Sequence, residues 1–93
     1  KLLPPNGVYA SVTVLDGKEY GGVTNIGVKP TESDESMVGV ETNLFGYEGD
    51  AYGKQIQVRL LHFIRPEMKF ENIEALAKQM ESDAEFSKSM LML

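Results

Sequence analysis

Glu41 is the residue most open to a chemical reading. It lies in the alternating run at residues 38–45 (VGVETNLF), where a strand would put Gly39, Glu41, Asn43 and Phe45 on one face. A carboxylate that shares a face with an amide and an aromatic ring can act as a general base in a cleft; it can equally be a solvated strand residue. Arg65 precedes Pro66 and Glu67, so it can pair with Glu67 or clamp a ligand. Gly7, in the turn LPPNGVYA, would let backbone amides approach a phosphate, although no Walker pattern surrounds it. The single histidine, His62, reads as a packed or half-exposed strand residue, and no serine sits in a nucleophile-elbow context. Cysteine is absent, which excludes disulfides and thiolate metal sites, and one histidine excludes a multi-histidine site.

These residues must be positioned by a small scaffold. The chain has 93 residues, enough for one domain and one core. Nine basic against 14 acidic residues leave a net charge of −5, and the basic residues are scattered rather than gathered in a stripe. That balance disfavours nucleic acid and anionic membrane as partners. It leaves room for a phosphorylated ligand held by backbone amides and a metal ion. No run approaches the ~18 apolar residues of a membrane span, and no signal-peptide pattern is present.

All nine glycines fall in the first 53 residues, so turns are dense there and absent afterwards. Residues 8–15 (VYASVTVL) alternate, with Val8, Ala10, Val12 and Val14 in the apolar phase. Asp16-Gly17 is a two-residue hairpin signal, with a return strand over residues 19–26 that Gly21-Gly22 should weaken or bulge. Residues 27–36 read as a loop and 46–50 as a turn. Residues 55–65 (QIQVRLLHFIR) form the longest strand candidate, with Ile56, Val58, Leu60 and Ile64 in one phase and Leu61 and Phe63 in the other. Pro66 ends it. Asn72 is a suitable N-cap, and Ile73, Leu76, Ala77 and Met80 recur at helical spacing. Asp83 could cap a second helical piece with Phe86 and Met90 on its apolar side. The sum is a mainly β domain with C-terminal helices, its sheet closing into a barrel.

Five landmarks in order carry this further: LPPNGVYA, GGVTNIGVKPT, VET followed by AYG, RPEMKF, and an acidic helix. In that order they resemble the riboflavin kinase domain, and are most similar to the C-terminal module of the bacterial bifunctional riboflavin kinase/FAD synthetase. The resemblance runs from about Leu3 to Asp83. It implies a six-stranded antiparallel Greek-key barrel over residues 1–65, followed by a helical region over 71–93. It also implies transfer of the ATP γ-phosphoryl group to the 5′-hydroxyl of riboflavin, giving FMN, with Mg²⁺ accompanying ATP. Glu41 matches the family's catalytic carboxylate. Gly7, Leu44 and Tyr52 match its nucleotide side, and Arg65, Met68 and Phe70 match its flavin-contacting loop. Asn43 stands where the family commonly has histidine, and Met68 where some members have lysine.

The family's Gly-x-Pro-Thr-Ala-Asn segment, whose Thr and Asn hold magnesium, lies upstream of LPPNGVYA. This chain begins at Lys1, inside the loop after that segment, so the metal ligands are expected upstream of Lys1 and none in this chain. Asn25 and Pro30-Thr31 belong to a later landmark. The expectation is a fragment that lacks the first strand or strands, is inactive alone and self-associates, from a cytoplasmic parent that also makes FAD. The alternative is a non-catalytic β-barrel that binds a flavin or another small ligand.

Overall fold

The computed structural model describes residues 4–30, 36–49 and 54–93. Among these residues are four strands and one helix: β1 (Gly7–Leu15), β2 (Lys18–Pro30), β3 (Ser36–Leu44), β4 (Ile56–Arg65) and α1 (Ile73–Leu91). The sheet has the order β3-β2-β1-β4, and every pairing is antiparallel. This is the expected mainly β architecture, with one C-terminal helix.

The β1–β2 hairpin turns through Asp16 and Gly17, both at positive φ (53° and 77°), as an Asp-Gly turn of the primed type requires. Lys54 Nζ donates to Asp16 Oδ2 at 2.8 Å and ties the approach to β4 to this turn. That hydrogen bond, and then the charge of Asp16, raise the Lys54 pKa above its ordinary value. Lys54 therefore stays charged through neutral pH, and on the alkaline side the pair is lost as pH rises through that elevated value.

Four sequence expectations are corrected. β2 continues through Gly27, Val28 and Lys29 to Pro30, and β3 begins at Ser36, so the described part of the expected loop at 27–36 is paired strand. Gly21 and Gly22 do not bulge β2; its register opposite Val12 and Ser11 is continuous. The irregularities fall instead in the β1–β4 pairing, between Val8 and Tyr9 and between Ala10 and Ser11, where β4 passes over Ile64 and Leu61. Those two extra residues change the phase of β4 twice, which is why both of its faces look apolar in sequence.

The apolar phase of β1 is also not its most buried one. Ser11, Thr13 and Leu15 are fully buried, while Val12 and Val14 are half-buried. On the Ser11 face, hydroxyls satisfy one another across the strands. Thr24 Oγ1 donates to Ser11 Oγ at 2.8 Å and lies 2.9 Å from Thr42 Oγ1. Ser11 and Thr24 can be buried here because neighbouring strands supply their partners, whereas Thr13 Oγ1 is buried without one among the described residues.

The Val12 face lies under α1. Asn72 caps the helix as expected, with its side chain accepting from Ala75 N at 2.8 Å. Asp83 does not cap a second piece, because it lies inside one continuous helix and faces the sheet. The helix buries Asp83 and Ser87, whereas Ile73 is 82% exposed and Leu76, Met80, Phe86 and Met90 are all exposed. The polar stripe docks because the sheet offers it polar partners. Ser87 Oγ donates to Gly22 O at 2.7 Å, and a Cβ on Gly21 would meet Leu93 Cδ1 at 2.6 Å. A Cβ on Gly22 would run into the Asn43 carbonyl oxygen. The two glycines thus admit the helix terminus and β3 to close approach. Ser87→Ala leaves the buried Gly22 carbonyl without that donor and is expected to cost about 1 kcal/mol, read as a lower urea midpoint at unchanged m-value.

Candidate active site

The register places the chemistry. Asn25 of β2 stands directly opposite Glu41 of β3, and Val23 opposite Asn43, so all four share the sheet face that α1 covers. Beyond them Gly27 pairs with Gly39 and leaves a floor without side chains. The segment between Arg65 and Asn72 crosses over this floor before the helix begins. The result is a cavity of about 230 Å³ between the sheet, this segment and α1.

Four of the sequence-predicted site residues line that cavity: Glu41, Arg65, Met68 and Phe70. Glu41 and Met68 are exposed, and Arg65 and Phe70 are half-buried. Gly7 does not line it. Gly7 has φ of 149°, and a Cβ there would meet Phe63 Cε1 at 2.6 Å and Arg65 O at 2.7 Å, so β1 needs glycine to start beside β4. Leu44 pairs with Gly22 and by strand alternation points to the face opposite Glu41. Tyr52 lies outside the described residues. His62 is exposed and does not line the cavity; Phe45 also lies outside it, with Lys88 Nζ 5.1 Å from its ring centroid.

Arg65 is held by the helix, not by Glu67. Its Nε donates to Asp83 Oδ1 at 3.0 Å and its Nη2 to Asp83 Oδ2 at 2.7 Å, a bidentate fork. Its Nη1 donates to Pro66 O at 3.1 Å, and Gln79 Nε2 braces Asp83 Oδ1 at 3.0 Å. The guanidinium carbon lies 5.9 Å from the Phe70 ring centroid, which sets cation and ring side by side in the cavity wall.

Sequence reasoning missed Asn25, Glu67 and Asp83 as lining residues. Asn25 was legible from the hairpin register, which puts it in phase with Val23. Asp83 could have been found from the polar stripe Gln79, Asp83 and Ser87 at i, i+4 spacing. Glu67 carries no sequence signal beyond its neighbour Arg65. Among the described residues the cavity wall is therefore half apolar, from Val8, Val23, Met68, Phe70, Leu76 and Met80, and half polar, with three carboxylates against one guanidinium.

An antiparallel sheet under one helix, with a carboxylate and an aromatic loop meeting in a single cavity, defines a small-ligand site able to bind a ring and accept a proton beside it. The chain belongs to the riboflavin kinase family: residues 1–91 match the family described as "Flavokinase: Riboflavin kinase". It is similar to a bifunctional riboflavin kinase/FMN adenylyltransferase of Bacillus subtilis, 40% identical over 84 residues that cover 88% of this chain and 27% of the relative. It is also similar to an RNA-binding riboflavin kinase, RibR, of Bacillus subtilis, 38% identical over 78 residues that cover 84% of this chain and 34% of the relative. Among solved structures, it superposes on a crystal structure described as a macrolide-efflux protein from Streptococcus pneumoniae. The TM-score is 0.84 with 26% identity, covering 94% of this chain and 28% of that one. The chain thus spans 27–34% of the length of these proteins.

Among the described residues there is no group of three or more His, Cys, Asp or Glu that could hold a metal ion. The metal ligands expected upstream of Lys1 fall outside the described residues, as Lys1 itself does, and the structure places none of them. Among the described residues, too, no helix is long and apolar enough to cross a membrane.

Proposed function

We propose that this chain is the kinase module of a flavin-synthesising enzyme and transfers the γ-phosphoryl group of ATP to the 5′-hydroxyl of riboflavin. The observation that carries the reading is the convergence of Glu41, Arg65, Met68 and Phe70 on one cavity in a chain of this family. The isoalloxazine ring packs against Phe70, Met68 and the exposed helix residues Leu76 and Met80. The ribityl chain runs over the Asn25–Glu41 pair. Its terminal oxygen bonds to the γ-phosphorus as the bond from that phosphorus to the β,γ-bridging oxygen breaks, and ADP leaves. Glu41 accepts the hydroxyl proton. Because the alcohol becomes acidic only as the transfer proceeds, a carboxylate of ordinary basicity suffices.

Gly7, Leu44 and Tyr52 are assigned to the nucleotide side. Leu44 faces away from Glu41, so ATP reaches the hydroxyl around the end of β3 rather than through the flavin cavity. Mg²⁺ travels with ATP, its ligands assigned to the segment upstream of Lys1, and no step is assigned here to the metal. Closure of the sheet into the six-stranded Greek-key barrel of the family, and a cytoplasmic parent that also carries FMN adenylyltransferase, belong to the same reading.

The test is direct. The intact protein carrying this chain, given riboflavin, ATP and Mg²⁺, is expected to form FMN and ADP in equal amounts, separated by chromatography. ATP turnover without FMN, or neither product, sinks the proposal. In the same assay Arg65→Ala is expected to raise KM for riboflavin more than it lowers kcat, because the guanidinium lines the ring side of the cavity before and during transfer.

A further inference from the structure

Gly27 has no positive φ, so its backbone conformation does not call for glycine. What calls for it lies above: a Cβ at Gly27 would meet Glu67 Oε1 at 2.5 Å and Glu67 Cδ at 3.0 Å. The Glu67 carboxylate therefore rests on the bare floor of the cavity. Gly27 is two residues from Asn25, which stands opposite Glu41, so the Glu67 carboxylate lies over the strand position one diagonal step from Glu41 on the same face. Such a step spans roughly 7–8 Å. The guanidinium fork of Arg65 is closed on Asp83. Among the described lining residues, three acidic groups and one basic group sum to a formal charge of −2.

We propose that Glu67, seated on Gly27, is a specificity-determining residue. Together with Glu41 it makes the cavity accept the neutral polyhydroxyl chain of riboflavin and reject the phosphorylated chain of FMN. Carboxylates accept hydrogen bonds from hydroxyls but repel a phosphate monoester, which carries nearly two negative charges at neutral pH. Product is thereby expelled from the site where it forms. The proposal rests on the riboflavin kinase reading and deepens it.

The experiment uses FMN formation by the intact protein to measure the affinity of riboflavin, as its KM, and that of FMN, as its inhibition constant in competition with riboflavin, so that only the kinase cavity is read. The wild type is expected to bind riboflavin more tightly than FMN, with a ratio that shrinks as salt is raised. Glu67→Gln keeps the shape and removes the charge; it is expected to tighten FMN about fivefold and to move riboflavin less than about twofold. Gly27→Ala, which displaces the carboxylate while keeping it, is expected to reduce the same ratio. Glu74→Gln, the same charge change at an exposed helix position outside the cavity, is expected to leave the ratio alone. Equal shifts for both flavins in Glu67→Gln, no shift at all, or an equal effect of Glu74→Gln would overturn the proposal while the kinase reading stands. Absence of saturable, riboflavin-dependent FMN formation by the wild type would overturn both.

Discussion

Glu41→Gln in the intact protein is expected to lower kcat for FMN formation by about 10²–10⁴-fold, or about 3–5 kcal/mol of barrier, with little change in riboflavin affinity. The substitution keeps the length and the hydrogen-bonding oxygen of the side chain and removes only the proton acceptor. Asn25, directly opposite, and Asn43, two residues on along the same face, hold the local surface polar in either variant. The ground state, with a neutral hydroxyl, should therefore bind almost as before, and the loss should fall on the step in which the hydroxyl sheds its proton. A solvated strand residue makes the opposite prediction: turnover unchanged, and stability moved by no more than roughly 0.5 kcal/mol. Steady-state kinetics with riboflavin varied at saturating ATP separate the two. Retention of more than about a tenth of wild-type kcat would remove Glu41 from the chemistry.

Much of the site was legible because its residues carry local signals. The alternation of residues 38–45 put Glu41 and Asn43 on one face, and the β2–β3 register confirms that shared face. The Asp-Gly turn fixed the hairpin, and Asn72 fixed the start of the helix. What sequence could not show arises from contacts between distant segments. The two skipped residues of β4, Ile64 and Leu61, reset its phase through pairing with β1, which no one-strand pattern reports. The burial of Ser11 over Val12 rests on a hydroxyl partner on another strand, so a count of apolar residues chooses the wrong phase. The helix inverts the expectation for the same reason. Its apolar residues at i, i+3 and i+4 spacing flank the cavity and solvent, while Asp83 and Ser87 meet Arg65 and the Gly22 carbonyl. An acid 18 residues from its arginine is invisible to spacing rules.

That acid is the basis of the largest stability effect expected here. Asp83→Ala is expected to destabilise the domain by about 3–5 kcal/mol, the usual cost of breaking a buried ion pair from one side. The Arg65 and Asp83 side chains are only 16% and 5% exposed, so solvent cannot replace the missing partner well. Total stability for a chain of this size is roughly 5–14 kcal/mol, so the loss is a large fraction of the whole. A fall of more than about 10 °C in the thermal midpoint should follow. Arg65→Ala should cost a similar amount, because it leaves a carboxylate against the sheet with only the Gln79 amide beside it. The pair Arg65→Met with Asp83→Leu should restore much of the loss, since apolar groups of similar volume leave no buried charge behind. The double variant should then fold yet bind riboflavin poorly, because the guanidinium beside the Phe70 ring is gone. A double-mutant cycle by urea unfolding reads the coupling directly. If each single variant costs less than about 1 kcal/mol, the pair behaves as an exposed one and does not anchor the helix to the sheet. If instead the singles are costly and the apolar pair is not, the ion pair is retained for what its arginine does in the cavity rather than for stability.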